Sequence, residues 1–229
     1  MSDMDGVRVV IPAYNEGAAI DGVLAPLVRQ GYAVVVVDDG SRDDTVARAL
    51  AHPVAVLQHP CNLGQGASLQ TGITYALAQP GTRYIVTFDA DGQHAVEDIP
   101  RLLAPLQAGD YDVALGSRFL RAGLATDIPL KKRLVLRLAV RFTRLTTGLA
   151  VTDTHNGLRA FTAAAAARLN ITQNRMAHGS ELLAQIAALG LRYCEVPVLI
   201  RYTAYSLAKG QSVWNSVNIL WDTMRMRVR

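Results

Sequence analysis

Tyr84-Ile85-Val86-Thr87-Phe88 runs directly into Asp89-Ala90-Asp91-Gly92-Gln93-His94, so a short apolar stretch ends in two acidic side chains one residue apart. The apolar part predicts a buried β-strand. If the backbone stays extended beyond Phe88, alternation sends Asp89 and Asp91 to the same side, and Gln93 adds a neutral oxygen there. Carboxylates so placed repel each other unless a cation lies between them. Mg²⁺ or Mn²⁺ is the natural candidate, because hard cations combine few protein oxygens with those of a bound diphosphate. The competing reading is a plain turn, since Asp-Gly is a frequent turn former. His94 reads as an ordinary loop residue and stays outside the metal set.

Working outward, Val7 to Ile11 and Ala33 to Val37 are β-branched, nearly continuous apolar runs, and Gly17 to Gln30 between them has helical spacing. The theme repeats with Val54 to Leu57, helical Ala67 to Ala78 and the strand before Asp89. Strands buried on both faces and alternating with helices predict an α/β domain with a mainly parallel central sheet flanked by helices. Right-handed crossovers bring the strand ends to one edge, where ligands of such sheets collect. Each polar cluster falls there: Pro12 to Glu16, Asp38 to Ser41, Asn62 to Gly66 and Asp89 to His94. Further on, Val113 to Gly116 and Arg192 to Ile200 read as strands. Ala163 to Ala167, Glu181 to Leu189 and a last segment from Val213 read as helices.

Within these clusters, Asp38 and Asp39 are placed to accept from a ribose hydroxyl or a base N–H. Tyr14 can pack on a base, and Glu16 can accept from it. Helix capping is the alternative for Asn15, Ser41, Asp43 and Asp44. Asn62-Leu63-Gly64-Gln65-Gly66 lacks both the Walker lysine and the full dinucleotide pattern, so a tight turn is its first reading.

The 229 residues, half of them hydrophobic, suffice for one core. The expected organisation is a single domain: a nucleotide-sugar half at 7–117, an acceptor half at 118–212 and an amphipathic C-terminal helix at 213–229. The net charge of +4 is unevenly spread, with basic residues from Arg118 to Arg144 and at Arg225, Arg227 and Arg229. Cys61 and Cys194 lack metal-type spacing, which argues against a disulfide framework and for a reducing cytoplasm. Neither a signal peptide nor an apolar stretch of the roughly 18 to 20 residues needed to span a bilayer is evident. Arg133, Arg137, Arg141 and Arg144 form one stripe on a helix, flanked by Leu134, Leu138, Phe142 and Leu145, which suits an anionic membrane surface. Packing on the sheet with a solvated basic edge is the alternative. Trp214, Val217, Trp221 and Met224 share a second interfacial face.

Together, Pro12-Ala13-Tyr14-Asn15-Glu16, Asp38-Asp39-Gly40-Ser41, Asn62 to Gly66, Phe88 to His94 and Gly116-Ser117-Arg118 resemble the ordered motifs of family-2 glycosyltransferases with the GT-A fold. The branch with dolichyl-phosphate mannose synthase and polyprenyl-phosphate glycosyltransferases is similar further on, through Gly157-x-Arg159-x-Phe161 and Glu195-Val196-Pro197. The resemblance covers roughly Val7 to Gln211. It implies that Pro12, Tyr14, Glu16 and Asp39 line the nucleotide site, with Asp89, Ala90 and Asp91 also meeting the nucleotide sugar. It further implies that Asp89, Asp91 and Gln93 hold the metal, Arg118 the acceptor phosphate, and Arg201 and Lys209 the donor diphosphate. Arg201 to Lys209 departs from the usual Arg, Gly, Ser, Lys arrangement, so Arg201 is the weaker correspondence.

The activity so implied is metal-dependent, inverting transfer of a hexose from a GDP- or UDP-linked sugar to a polyprenyl phosphate, peripherally at the cytoplasmic membrane face and without nucleic acid. A glycan or other hydroxyl acceptor is the alternative, and it would need a general base, for which Glu181 and Asp153 are equal candidates, a helix N-terminal carboxylate stabilised by the macrodipole being the favoured alternative for Glu181. A non-catalytic nucleotide-sugar-binding scaffold is a third reading, against which the intact Asp89, Asp91 and Gln93 stand.

Overall fold

The first strand of the computed structural model, β1 (Val7–Ala13), sends Val9 and Ile11 into one layer of the core and Val10 into the other. Burial on both faces explains its unbroken apolar sequence. The structure describes residues 6–120, 140–154, 156–175 and 177–201. Lys209, Arg133, Arg137 and the C-terminal aromatic and basic residues named above lie outside them.

In chain order the elements are β1, α1 (Gly17–Arg29), β2 (Ala33–Asp38), α2 (Thr45–Leu50), β3 (Ala55–Gln58), α3 (Gln65–Ala78) and β4 (Tyr84–Thr87). A 3₁₀ turn (Val96–Asp98) leads into α4 (Ile99–Gln107) and β5 (Val113–Ser117). Then come α5, with 140–147 described, β6 (Arg159–Thr162), α6 (Ala163–Ala166), α7 (His178–Ala188) and β7 (Tyr193–Pro197). One seven-stranded sheet runs β3-β2-β1-β4-β6-β5-β7. It is parallel except at β6, which is antiparallel to both β4 and β5.

Helices α1 and α4 cover one face through Ile20, Leu24 and Leu27 and through Ile99, Leu102, Leu103 and Leu106. Helices α3 and α7 cover the other through Leu69 and Ile73 and through Leu182, Leu183 and Ile186. At Gly72 helix α3 lies so close that a Cβ would sit 2.3 Å from Val10 Cγ1.

Two elements go beyond the sequence reading, α4 and β6. Only four residues long, β6 contains a buried arginine, so it lacks the apolar run by which strands are recognised. Helix α7 begins at His178, which places Glu181 in its first turn rather than at its start. Strand β4 ends at Thr87, although the Phe88 N–H still donates to Val10 O at 3.0 Å.

Candidate active site

The loops after β1 and β2 are tied to each other. Ser41 Oγ accepts from Asn15 N (2.8 Å), Asn15 Oδ1 from Arg42 N (2.8 Å), and Thr45 Oγ1 from Glu16 N (2.8 Å). Asp43 accepts from the N–H groups that begin both α1 and α2, Gly17 N and Thr45 N, each at 3.0 Å. Capping therefore operates, but across the two loops. Asn15 adopts a left-handed φ of 53° in this turn. Pro12 is buried below it, while Tyr14 presents a ring that is 39% exposed, beside half-buried Glu16.

Asp39 is almost sealed. Its Oδ1 accepts from Leu63 N (2.9 Å) and lies 2.8 Å from His59 Nδ1, and its Oδ2 accepts from Gly64 N (2.7 Å). Oδ2 thus keeps capacity for one further donor such as a base N–H. Asp38 Oδ2 accepts from Ser41 N at 3.2 Å, while its Oδ1 is buried without a partner. The glycine-rich stretch is a tight turn: Leu63 and Gly64 donate to Asp39, and Gly66 N donates to Asn174 O at 2.8 Å. Those N–H groups are not left over to cradle phosphate.

Asp89 and Asp91 meet through a turn rather than by strand alternation. Gly92 has a φ of 74°, and Gln93 N donates to Asp91 Oδ1 at 3.0 Å. The turn and the paired carboxylates thus coexist. Gln65 Nε2 donates to Asp89 Oδ1 (3.1 Å), and His94 Nε2 lies 2.9 Å from Asp89 Oδ2. Behind Asp89 stands Gly157, where a Cβ would fall 2.2 Å from Oδ2. Burial disfavours the Asp89 charge, yet the His94 hydrogen bond, with the charges of His94, His178 and Arg159, holds its carboxyl below the usual value. Asp91 goes the other way. Burial and then the Asp89 charge push it up to about 6.

A divalent ion between these carboxylates would relieve that repulsion, so the residues present fit the group. Among the described residues no cluster of three or more His, Cys, Asp or Glu forms a cage, and ligands from a bound diphosphate would be needed to complete the coordination. Arg201 is brought to this loop by donating its N–H to Gln93 O at 2.9 Å.

On the other side of β4, Arg118 Nε donates to Asp153 Oδ2 at 2.7 Å, and the Asp153 side chain is wholly buried. Glu195 fixes that carboxylate's loop by accepting from Thr152 N (2.7 Å), Thr152 Oγ1 (2.9 Å) and Asp153 N (3.2 Å). Glu181 accepts from Thr172 N, Thr172 Oγ1 and Gln173 N. The two candidate bases are thus both engaged by protein groups. Glu181 anchors a loop, and Asp153 is the counter-ion of Arg118.

The sequence reading missed three residues of this constellation: His94 on Asp89, Arg159, whose charge acts on Asp89, and His178, whose charge does so only at acid pH where it is protonated. The Gly157-x-Arg159-x-Phe161 spacing was the available signal. It gained meaning only once β6 lay beside β4.

Residues 8–169 match the model of glycosyl transferase family 2. The UDP-N-acetylglucosamine–dolichyl-phosphate N-acetylglucosaminyltransferase of Methanococcus voltae is 32% identical over 97% of this chain and 96% of its own length. The polyprenol monophosphomannose synthase of Mycolicibacterium smegmatis is 34% identical over 67% of this chain and 60% of its own. Among solved structures, glucosyl-3-phosphoglycerate synthase of Mycobacterium tuberculosis in complex with Mn²⁺ and UDP-glucose superposes with a TM-score of 0.70. That match covers 94% of this chain and 75% of the other at 23% identity, a likeness of fold. With motifs, sheet order and relatives in agreement, the chain belongs to glycosyl transferase family 2 and is a glycosyltransferase with the GT-A fold.

Proposed function

We propose that this glycosyltransferase is an inverting, divalent-metal-dependent enzyme that moves a hexose from a UDP- or GDP-linked sugar to a polyprenyl phosphate. The observation that carries the reading is the placing of Asp89 and Asp91 together at the carboxyl edge of β4, where burial and then the Asp89 charge push Asp91 up to about 6. Mg²⁺ or Mn²⁺ bound there, by Asp89, Asp91 and Gln93, would supply charge neutralisation to the departing nucleotide diphosphate. The chain's own residues do the rest. Gln65 and His94 orient Asp89, and Arg201, tied to Gln93, adds a cation beside the loop. Tyr14, Glu16 and the remaining acceptor capacity of Asp39 recognise the nucleotide.

The state of the two candidate bases supports a phosphate acceptor. A sugar hydroxyl needs its proton removed, whereas a phosphate monoester arrives ionised and needs only orientation. Both Glu181 and Asp153 are engaged by other protein groups. The M. voltae relative, matched nearly end to end, carries dolichyl phosphate in its name.

Peripheral attachment at the cytoplasmic membrane face is part of the same reading. Leu145 is 80% exposed beside exposed Arg141 and Arg144 on α5, although Arg144 Nε also donates to Val151 O. No helix among the described residues is long and apolar enough to cross a membrane.

The test is a panel of UDP- and GDP-sugars with Mn²⁺ or Mg²⁺, offered with polyprenyl phosphate in vesicles or with hydroxyl acceptors. Transfer to the phosphate, with the anomeric configuration inverted and loss of turnover on chelation, is expected. Transfer to hydroxyl acceptors alone, or turnover indifferent to chelator, defeats the reading.

A further inference from the structure

Arg159 is only 5% exposed, yet its guanidinium forms no hydrogen bond and no ion pair with any described residue. Arg118, equally buried, is neutralised by Asp153. A guanidinium has five N–H donors and stays charged in proteins, so leaving it buried and unpaired is costly unless something completes it. None of its nitrogens is among the sealed, unpartnered atoms, so the surface Arg159 retains lies at the guanidinium.

The surroundings define what that something is. In the sheet Arg159 pairs with Thr87 of β4 and Leu115 of β5, and its side chain shares a face with Phe161, towards α7. A Cβ on Gly179 would lie 3.5 Å from Arg159 Nη2, so the guanidinium abuts the first turn of α7. The His178 N–H in that turn is taken by Arg175 O at 3.1 Å, but the turn carries the positive end of the helix dipole. His178, in that turn, is pushed down to about 4 by burial and by the Arg159 charge, and adds no positive charge of its own at neutral pH. The charges of Asp89 and Asp153 both reach Arg159 without either carboxylate pairing with it. A cationic fork and a helix start facing one space suit an anionic oxygen, above all a phosphate.

The strand order decides which phosphate. Order β2-β1-β4-β6-β5 puts Arg159 on the opposite side of β4 from the nucleotide loops. We propose that Arg159 and the first turn of α7 bind the phosphate monoester of the acceptor, between the Asp89-Asp91 loop and the Arg118–Asp153 pair. This rests on the reading of the acceptor as a phosphate.

The experiment uses the full chain and its Arg159→Met and Arg159→Lys variants, titrated calorimetrically with farnesyl phosphate, farnesol, inorganic phosphate, and UDP with Mn²⁺. Arg159→Met should weaken farnesyl phosphate on the order of 10- to 100-fold, the worth of charge-assisted hydrogen bonds, and change UDP binding far less, since Arg159 reaches that site only through its charge on Asp89. Arg159→Lys, which keeps the charge but loses the fork, should fall between. The melting temperature of Arg159→Met should hold or rise, because no protein partner is stranded. Unchanged farnesyl phosphate affinity, or a loss that falls on UDP instead, overturns the proposal, as does a lowered melting temperature without any loss of phosphate binding. If the wild type transfers no sugar to prenyl phosphates, the acceptor reading fails separately. The subsite then stands if Arg159→Met abolishes binding of inorganic phosphate and falls if it does not.

Discussion

The two flanks of β4 are held together by different physics. On the side of β1 and β2, loops are joined by hydrogen bonds between backbone N–H groups and short polar side chains, Asn15 with Ser41 and Arg42, Glu16 with Thr45, Gly17 with Asp43. Three of these four bonds are part-buried and one is exposed, and each has a neutral backbone donor, so each contributes only about 1 kcal/mol alone. On the side of β6, β5 and β7 the ties are buried or part-buried charges: Arg118 on Asp153, Glu195 under the 152–153 backbone and Glu181 under Thr172 and Gln173, with the Arg159 guanidinium lacking a partner among the described residues. There, removing one partner strands another. The lesson is that the first flank, the proposed nucleotide side, should tolerate substitution by small increments, the second, the proposed acceptor side, should fail in stability, and the seam at Asp89 should fail in chemistry.

The seam gives the largest effect. Asp91→Asn removes a charge from the pair while preserving shape, and kcat should fall on the order of 10³-fold, as when a major electrostatic contribution to the transition state is lost. Steady-state kinetics with Mn²⁺ titration checks this. Full activity in the variant would remove the seam as a separate region.

Asp153→Asn sharpens the acceptor side of the comparison. It leaves the buried Arg118 guanidinium without its counter-ion, and breaking a buried pair from one side costs about 3 kcal/mol or more. Urea denaturation should show that loss. A cost under about 1 kcal/mol, as for exposed pairs, would mean that the two flanks do not differ in kind.

Gly157→Ala returns to the seam by way of the acceptor side. The new methyl would overlap Asp89 Oδ2, 2.2 Å away, and displace the carboxylate. Misplacement of a reacting group by about 1 Å can cost about 10²-fold in rate. A matching fall in kcat, with nucleotide affinity retained in the absence of metal, separates this effect from a lesion of the nucleotide loops.

The same contrast explains what the sequence made legible. Asp38-Asp39-Gly40-Ser41 and Asp89 to His94 are contiguous, each follows a strand recognisable by its apolar run, and parallel topology alone carries both to one edge. The acceptor side depends on pairs 35 and 43 residues apart, Arg118 with Asp153 and Thr152 with Glu195, which no local pattern announces. Glu181 illustrates the limit. Its place in a helix was readable, but its engagement by a loop nine residues upstream was not. Asp39 stands between the two cases: its position was legible, whereas its bonds to Leu63 and Gly64 required the third loop to fold back.

The smallest effect is expected where the nucleotide side is most typical. Asp43 serves the starts of α1 and α2 at once, so Asp43→Ala should cost about 1 kcal/mol, the ordinary worth of a cap. Burial favours the protonated form of Asp43, but hydrogen bonds from Thr45 and Gly17 outweigh it and lower its pKa from 3.8. A lowered native pKa means that the stabilisation is present above the unfolded value and is lost as pH falls through the native one. The difference between wild type and variant should therefore be full at neutral pH and shrink below the ordinary carboxylate range. Chemical denaturation of both proteins from neutral to strongly acidic pH measures it. A difference that stays constant throughout would assign the Asp43 contribution to shape rather than charge, and would blur the line between capped loops on one flank and buried charges on the other.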